Sequence, residues 1–272
     1  MATASRKAER FDVLKGSPTL WMSVPAAVLL IIPFVALAGA TSWGQLQLAY
    51  GDWSAVGVSL GLSSVSTLLI VLLGTPLALW LARTASSWRS GVEALLLISL
   101  LTPPLAMGIL LVTAYGPYAT LGEALGKLGI SLSNNLPAFI LAQLYGGLAY
   151  YILCARTAFE AVPRSLEEAA RGLGCSPVEV FLQVTLPVTR RALANALAIV
   201  WVRVIGEFGI VMVFAYFPQG IPVKLFVNLQ NEGVDSVYAL LWLLLLVTLP
   251  FPLWCLRVRR REGISAVREE WS

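Results

Sequence analysis

Six stretches of this chain are too long and too apolar to serve as the core of a water-soluble fold. They lie near 21–42, 56–82, 91–115, 136–158, 192–216 and 237–256, and about 20 helical residues cross the ~30 Å of hydrocarbon in a bilayer. Apolar residues make up 58% of the 272 and charged residues only 12%, too little polar surface to clothe such a mass in water. Lipid offers no hydrogen-bond partners, so each stretch must satisfy its own backbone. The expected fold is therefore an all-α integral membrane protein with six transmembrane helices. Its expected layout is a polar N-terminal tail over 1–20, a six-helix domain over 21–256 and a C-terminal tail over 257–272. No cleavable leader pattern opens the chain, because the first 20 residues are polar and run into a full-length span. Cys154, Cys175 and Cys255 are far apart and read as small buried thiols, with no metal site or disulfide framework suggested.

Basic residues fix the expected orientation. Arg6, Lys7, Arg10 and Lys15 precede the first span, and Arg83 and Arg89 join the second to the third. Arg156, Arg164, Arg171, Arg190 and Arg191 lie between the fourth and fifth, and Arg257, Arg259, Arg260, Arg261 and Arg268 follow the sixth. Sixteen of the nineteen Lys and Arg thus fall on one side, against Lys127 and Lys224 on the other. The positive-inside rule places that side, and with it both termini, in the cytoplasm. The basic balance is a topology signal; it lacks the clustering and aromatic interleaving that nucleic-acid binding needs.

Within the spans, Gly57, Gly61, Ser64 and Ser66 place small residues at helix-packing spacing on the second. Pro76 and the pair Pro103-Pro104 remove backbone donors in mid-membrane, so bends facing the bundle interior are expected there. The first span has no such features and is expected to be peripheral.

The most patterned polar stretch, 163–187, reads as two short helices. Ser165 with Glu168 forms a capping box for the first, and Gly174 supplies its left-handed stop. Ser176, Pro177 and Glu179 repeat the start signal, and Pro187 is expected to end the second helix before the fifth span. Leu166, Ala169, Ala170 and Leu173 recur at helical spacing, giving a small flat apolar face beside Glu167, Glu168 and Arg171. A face of that kind suits a groove on another protein, the alanines permitting close approach and the charges fixing register.

Glu168-Ala169-Ala170, Gly174 four residues after Ala170, and the closing Leu186-Pro187 resemble the loop motif of prokaryotic ABC-importer membrane subunits. Ser59-Leu60, Gly74, Pro76 and Ala82-Arg83 are similar to the start of that family's core, and the likeness covers roughly residues 55–255. The resemblance implies a type I ABC-importer permease fold in which 163–187 is the coupling loop. Leu166, Glu167, Glu168, Ala169, Ala170, Arg171, Gly172, Gly174, Leu186 and Pro187 would then meet the ATPase. It further implies two copies of a separate ATPase that carries ATP-Mg, a second copy of this chain, an external solute-binding protein, and the cytoplasmic (inner) membrane of a bacterium or archaeon. This chain itself is expected to bind no cofactor. Gly122 to Lys127 has the wrong spacing for a phosphate-binding loop and is followed by Leu128.

Pro103-Pro104, Gly108, Leu110-Leu111 and Gly116-Pro117, with Gly206-Glu207-Phe208-Gly209, resemble the molybdate-type permeases, to which sulfate permeases are close. Ala215-Tyr216-Phe217-Pro218 is similar instead to tungstate-type relatives. Arg203 lies four residues before Glu207, and two ionisable groups in one span must pair or line a polar cavity. Pro103, Pro104, Gly108, Arg203, Gly206, Glu207 and Gly209 are accordingly the expected path or gate residues, with Gly206 and Gly209 allowing close approach across a dimer interface. A different class, an ion-coupled secondary transporter, would rest on Glu207 alone as its coupling carboxylate.

Overall fold

A computed structural model describes residues 18–255; the expected tail 257–272, and the N-terminal tail up to residue 17, lie outside the described residues. The chain divides into two units, residues 1–47 and 48–272. In the first, α1 (Pro18–Ala40) starts three residues before the expected span and carries Pro25 and Pro33 within it. Past the Leu37 carbonyl, which takes the Thr41 amide at 3.0 Å, its last carbonyls lack regular helical partners. The Thr41 hydroxyl donates to the Leu37 carbonyl at 2.6 Å and the Trp43 indole to that of Ala38 at 3.1 Å, which meets the need locally.

The second unit is built from helices, and no strand occurs among the described residues. In order come α2 (Asp52–Arg83), α3 (Trp88–Leu101), α4 (Pro104–Tyr115), α5 (Thr120–Lys127), α6 (Leu136–Glu160), α7 (Arg164–Gly172) and α8 (Pro177–Val180). A π-helical turn, Phe181–Thr185, leads into α9 (Leu186–Ile205), then α10 (Gly209–Phe214), α11 (Ile221–Glu232) and α12 (Tyr238–Thr248). Among the described residues, five stretches are long and apolar enough to span, and a sixth exists if α3 and α4 are taken together. That pair is no simple kink, since the axis turns through 113° between them. Thr102 and Pro103 are extended there, as the residue before a proline prefers. Pro104 then opens α4 at a position where its missing N–H costs nothing.

α2 and α6 form the most extensive pairing, and α9 packs on both. The face of α2 turned inward carries Ala55, Ser59, Ser63, Ser66, Ile70, Gly74 and Ala78. At Gly74 an added Cβ would lie 2.6 Å from the Tyr151 ring, so only glycine lets α2 and α6 approach this closely. Of the small residues expected to pack, only Ser66 is on that face; Gly57, Gly61 and Ser64 are exposed. The reason is register. Ser59, Ser63 and Ser66 lie on the side of the helix opposite Gly57, Gly61 and Ser64. Pro76, expected to face the interior, is exposed on an unbroken α2.

The end that carries Arg83, Arg89 and Arg156 has its own core of Ile70, Leu81, Ile152, Phe159 and Val200. The opposite half is filled by Met107, Leu111, Phe139, Val211 and Phe214. There Asp52, fully buried, accepts from the Ala49 amide at 2.9 Å and from the Asn228 side chain at 3.0 Å, tying α11 to the start of α2. Ser59 Oγ accepts from the Ile221 amide at 2.8 Å, satisfying one of the free donors at the start of α11.

The fifth span is broken at Gly206–Phe208, where the carbonyls of the last α9 turn lose regular partners. Gln143, buried on α6, donates from Nε2 to the Val204 carbonyl at 3.0 Å and to Ser63 Oγ at 2.8 Å. One amide thereby joins α2, α6 and the end of α9. Substituting Gln143→Leu keeps the volume but removes the buried donor from Ser63 Oγ and leaves the Val204 carbonyl only the Glu207 amide at 3.2 Å, at a cost of about 1–3 kcal/mol. A lowered unfolding midpoint of the purified chain in detergent is the expected result; an unchanged midpoint would mean that this amide does not hold the break.

Candidate functional site

The loop over 163–187 is clasped to the bundle by one carboxylate. Glu167 on α7 is 6% exposed and receives Nε and Nη2 of Arg83, the last residue of α2, in two bonds of 2.9 Å. Thr185 Oγ1, in the π-helical turn, donates to the same carboxylate at 2.7 Å. A parallel guanidinium fork plus a hydroxyl is the geometry that makes a charge pair strong and directional. Burial works against the Glu167 charge. The hydrogen bonds from Arg83 and Thr185, with the charges of Arg83 and Arg171, outweigh it and hold the carboxyl below the usual range. Beside this clasp, Glu93 and Glu160 each take one bond from Arg89 and one from Arg156, at 2.7–3.1 Å, joining the base of α3 to the end of α6 just before the loop.

With Glu167 turned inward, the rest of α7 faces out. Leu166 is 47% and Leu173 87% exposed, Ala169 is exposed and Ala170 half-buried. Glu168 is exposed too and makes no hydrogen bond or ion pair with any described residue. The expected small apolar face thus exists and is largely uncovered by the described residues. The helix ends as the sequence predicts. Gly174 has φ +92°, the Cys175 amide bonds the Ala170 carbonyl and the Gly174 amide that of Arg171, the paired closure of a Schellman stop. The second capping box is present as well, with Ser176 and Glu179 bonded reciprocally and Pro177 in the first turn.

Two expectations for this loop are corrected. Ser165 does not cap α7, because the helix begins at Arg164 with Pro163 before it, so Ser165 is already in the first turn and forms no box with Glu168. Pro187 does not end the second helix. The chain continues from Pro177 to Phe214 as one apolar span that contains the break at Gly206–Phe208. Pro187 lacks an N–H and its ring would crowd the carbonyl four residues back. The π turn at Phe181–Thr185, closed by the Leu186 amide on the Phe181 carbonyl, widens the helix before it.

The expected path residues gather where two spans are broken. Arg203, in the last turn of α9, pairs with Glu207 at the break, and the other oxygen of that carboxylate accepts the Ile210 amide at 2.9 Å. Glu207 therefore both balances Arg203 and closes the start of α10. Gly146 on α6 makes the room, since a Cβ there would lie 2.9 Å from Glu207 Oε2. At Gly108 and Gly209 added Cβ atoms would meet Val213 at 2.9 Å and Pro104 at 2.6 Å, so these glycines let α4 and α10 pack within the chain. This corrects the expectation for Gly209, whose close approach is intramolecular. Gly206 remains exposed, as do Pro103 and Pro104. Sequence reasoning gave Arg83 no partner in this loop and did not single out Thr185 or Gln143. An arginine at a span end reads as a topology charge, and a lone Gln or Thr has no pattern until its partners are placed.

A multi-pass bundle with a clasped loop at its basic end, and two spans broken around a half-buried ion pair, has the architecture of a membrane permease. The chain belongs to the family of binding-protein-dependent transport system inner membrane components, which it matches over residues 74–215. It is 33% identical to a probable molybdenum ABC transporter permease protein of Haloferax volcanii, over 83% of this chain and 81% of that one. It is 31% identical to the molybdenum transport system permease protein ModB of Mycobacterium bovis, over 90% and 95%. A molybdate/tungstate transport system permease protein of Pyrococcus furiosus is 29% identical over 65% and 66%. The fold is that of a solved bacterial alginate ABC transporter, with a TM-score of 0.73 at 18% identity, covering 92% of this chain and 96% of that one. The MetNI methionine ABC transporter gives 0.59 at 19% identity, over 76% and 94%.

A depressed folded-state carboxyl contributes stability above the ordinary Glu range and loses it as pH falls through the folded value. Amide exchange across 164–173 is therefore expected to stay slow from neutral pH down to about 4.5, the unperturbed value, and to speed up below it beyond the intrinsic change. In Glu167→Ala the same amides should exchange fast already at pH 7; protection equal to the parent would remove the clasp.

Proposed function

We propose that this chain is the membrane-spanning permease of an ATP-driven importer that carries a tetrahedral oxyanion, molybdate first, across the cytoplasmic membrane. The observation that carries the coupling half of this reading is the outward apolar face of α7, held at fixed height by Glu167 on Arg83 and Thr185. A surface this rigid and uncovered suits a groove on a separate ATPase, which supplies the ATP-Mg chemistry. The cargo half is supported by relatives named for molybdenum transport at 31–33% identity over most of the chain. Tungstate is the second reading, because relatives named for molybdate and tungstate also match.

In this reading two copies of the chain meet around a two-fold axis, each docking one ATPase through residues 163–187. The basic end and both tails, 1–20 and 257–272, face the cytoplasm, and an external solute-binding protein delivers the anion to the opposite end. ATP binding draws the two ATPases together, and the clasp passes that motion to α2, α6 and α9 as one body, shifting the population between two access states. Reversing a 1:99 population needs about 5.5 kcal/mol of differential binding, within reach of nucleotide binding. Leu186 and Pro187 set the entry angle of α9, and Gly172 and Gly174 end α7 without a side chain that would obstruct the partner.

The test is uptake of labelled molybdate by proteoliposomes holding this chain, its ATPase and its binding protein. Accumulation should require ATP and be competed by unlabelled tungstate more strongly than by sulfate. Gly174→Val forces a branched side chain into a positive φ, and should cut uptake about tenfold or more while the chain stays in the membrane. Accumulation by this chain with no ATPase present would overturn the importer reading in favour of a secondary transporter coupled through Glu207.

A further inference from the structure

Between the two broken spans lies a cavity of about 50 Å³ whose polar lining comes from Ser99, Thr102, Tyr145, Tyr150 and Arg203. The first residue of α4, Pro104, lines it too, so the positive end of that 12-residue helix lies at the cavity. No carboxylate is among the lining residues. Glu207 stands behind, its side chain 1% exposed against 26% for Arg203. A cation entering here would find hydroxyls but no counter-charge, whereas an anion would find a guanidinium and a helix start.

The state of Arg203 sharpens this. Only Nη1 is used on Glu207, and no described residue accepts from Nε or Nη2. Those two nitrogens form the same edge with which Arg83 grips Glu167 in two bonds of 2.9 Å. Here that edge has no acceptor among the described residues. The guanidinium also lies 5.6 Å above the Tyr150 ring, which restricts its plane. A charge in a span is costly, and a pair serving only to hold the bundle would have no need to leave its best two-donor edge open beside a cavity.

Resting on the importer reading, the geometry points to Arg203 as the residue that touches the translocated oxyanion inside the membrane. Its Nε–Nη2 edge donates to two oxygens of the dianion, and hydroxyls of Ser99 and Tyr150 supply further donors from the cavity wall. Glu207 tempers the grip. An unneutralised guanidinium in low dielectric would hold a dianion too long, and passage needs a site that releases as readily as it binds. Glu207 fits that task because it sits behind Arg203, outside the cavity, with its second oxygen committed to the Ile210 amide.

The experiment uses proteoliposomes of the full complex with its binding protein, measuring molybdate taken up and ATP hydrolysed in the same vesicles. In the double variant Arg203→Gln with Glu207→Gln, the two introduced amides can still bond each other, and the carbonyl oxygen of the one at position 207 can still accept from Ile210. Molybdate carried per ATP should fall about tenfold or more while hydrolysis stimulated by the binding protein stays within about twofold. Glu207→Gln alone should slow uptake as well, through retention of the anion. If the double variant keeps the parent's ratio, or loses uptake and hydrolysis in parallel, the pair is structural and the proposal fails. Should that variant not reach the membrane, Arg203→Lys decides, since it keeps the charge and removes the fork. A ratio several-fold lower supports contact with the anion, and an unchanged ratio refutes it. Absence of ATP-dependent uptake in the unmodified complex would instead defeat the importer reading itself.

Discussion

A helix interrupted inside hydrocarbon must find new partners for every backbone group that the interruption frees, and the centre of this bundle is arranged around that demand. The break at Gly206–Phe208 is tolerable because Gln143 takes the Val204 carbonyl and Glu207 takes the Ile210 amide. Each of those side chains is itself buried and takes a further partner, Ser63 on the amide nitrogen of the one and Arg203 on the carboxylate of the other, while Gln143 Oε1 has none among the described residues. Gly146 is required by the bulk of the Glu207 carboxylate, and Gly108 and Gly209 by the closeness of α4 to α10. One missing helical turn thus dictates residues on α2, α4, α6 and α9.

The polar loop at the basic end solves a different problem. A nine-residue helix is too short to be stable or stationary alone. Glu167 resolves this by reaching past the exposed face to Arg83 and Thr185, so α7 is rigid relative to α2 and to the π turn that leads into α9. The ring of Arg89, Glu93, Arg156 and Glu160 adds the base of α3. Partly exposed pairs of this kind contribute little singly, and their value here is in fixing which helix ends move together. Rigidity at the basic end and breaks in mid-bundle leave the breaks as the places where a change of shape can occur.

Much of this architecture was legible in the sequence. The six apolar stretches, Gly174 as a left-handed stop, the box at Ser176 and Glu179, and the pairing of Arg203 with Glu207 each follow from local rules of length, φ preference or charge, and each is found in the fold. The misreadings share one cause. Ser165 reads as a cap and Pro187 as a terminator because those rules see a few neighbouring residues, whereas the true start of α7 and the π turn before Pro187 depend on how the loop is seated against α2. Gly57, Gly61 and Ser64 read as a packing stripe because periodicity tells that a face exists but not which neighbour it meets.

The sequence by itself determined that this chain lives in a bilayer as helices, that it presents a small-faced loop at the basic end, and that a charge pair lies within its fifth span. Hydrophobic length, glycine's access to positive φ and the cost of an unpaired charge in lipid act within a few residues, so they can be read along the chain. Only the tertiary structure decided that Glu167 turns inward while Glu168 turns outward, that the third span bends by 113°, and that Arg203 keeps an open edge beside a cavity. The first and last of these depend on Arg83 and Tyr150, residues 53 or more positions away from the groups they act on. Directional bonds across that separation have no signature until the helices have packed.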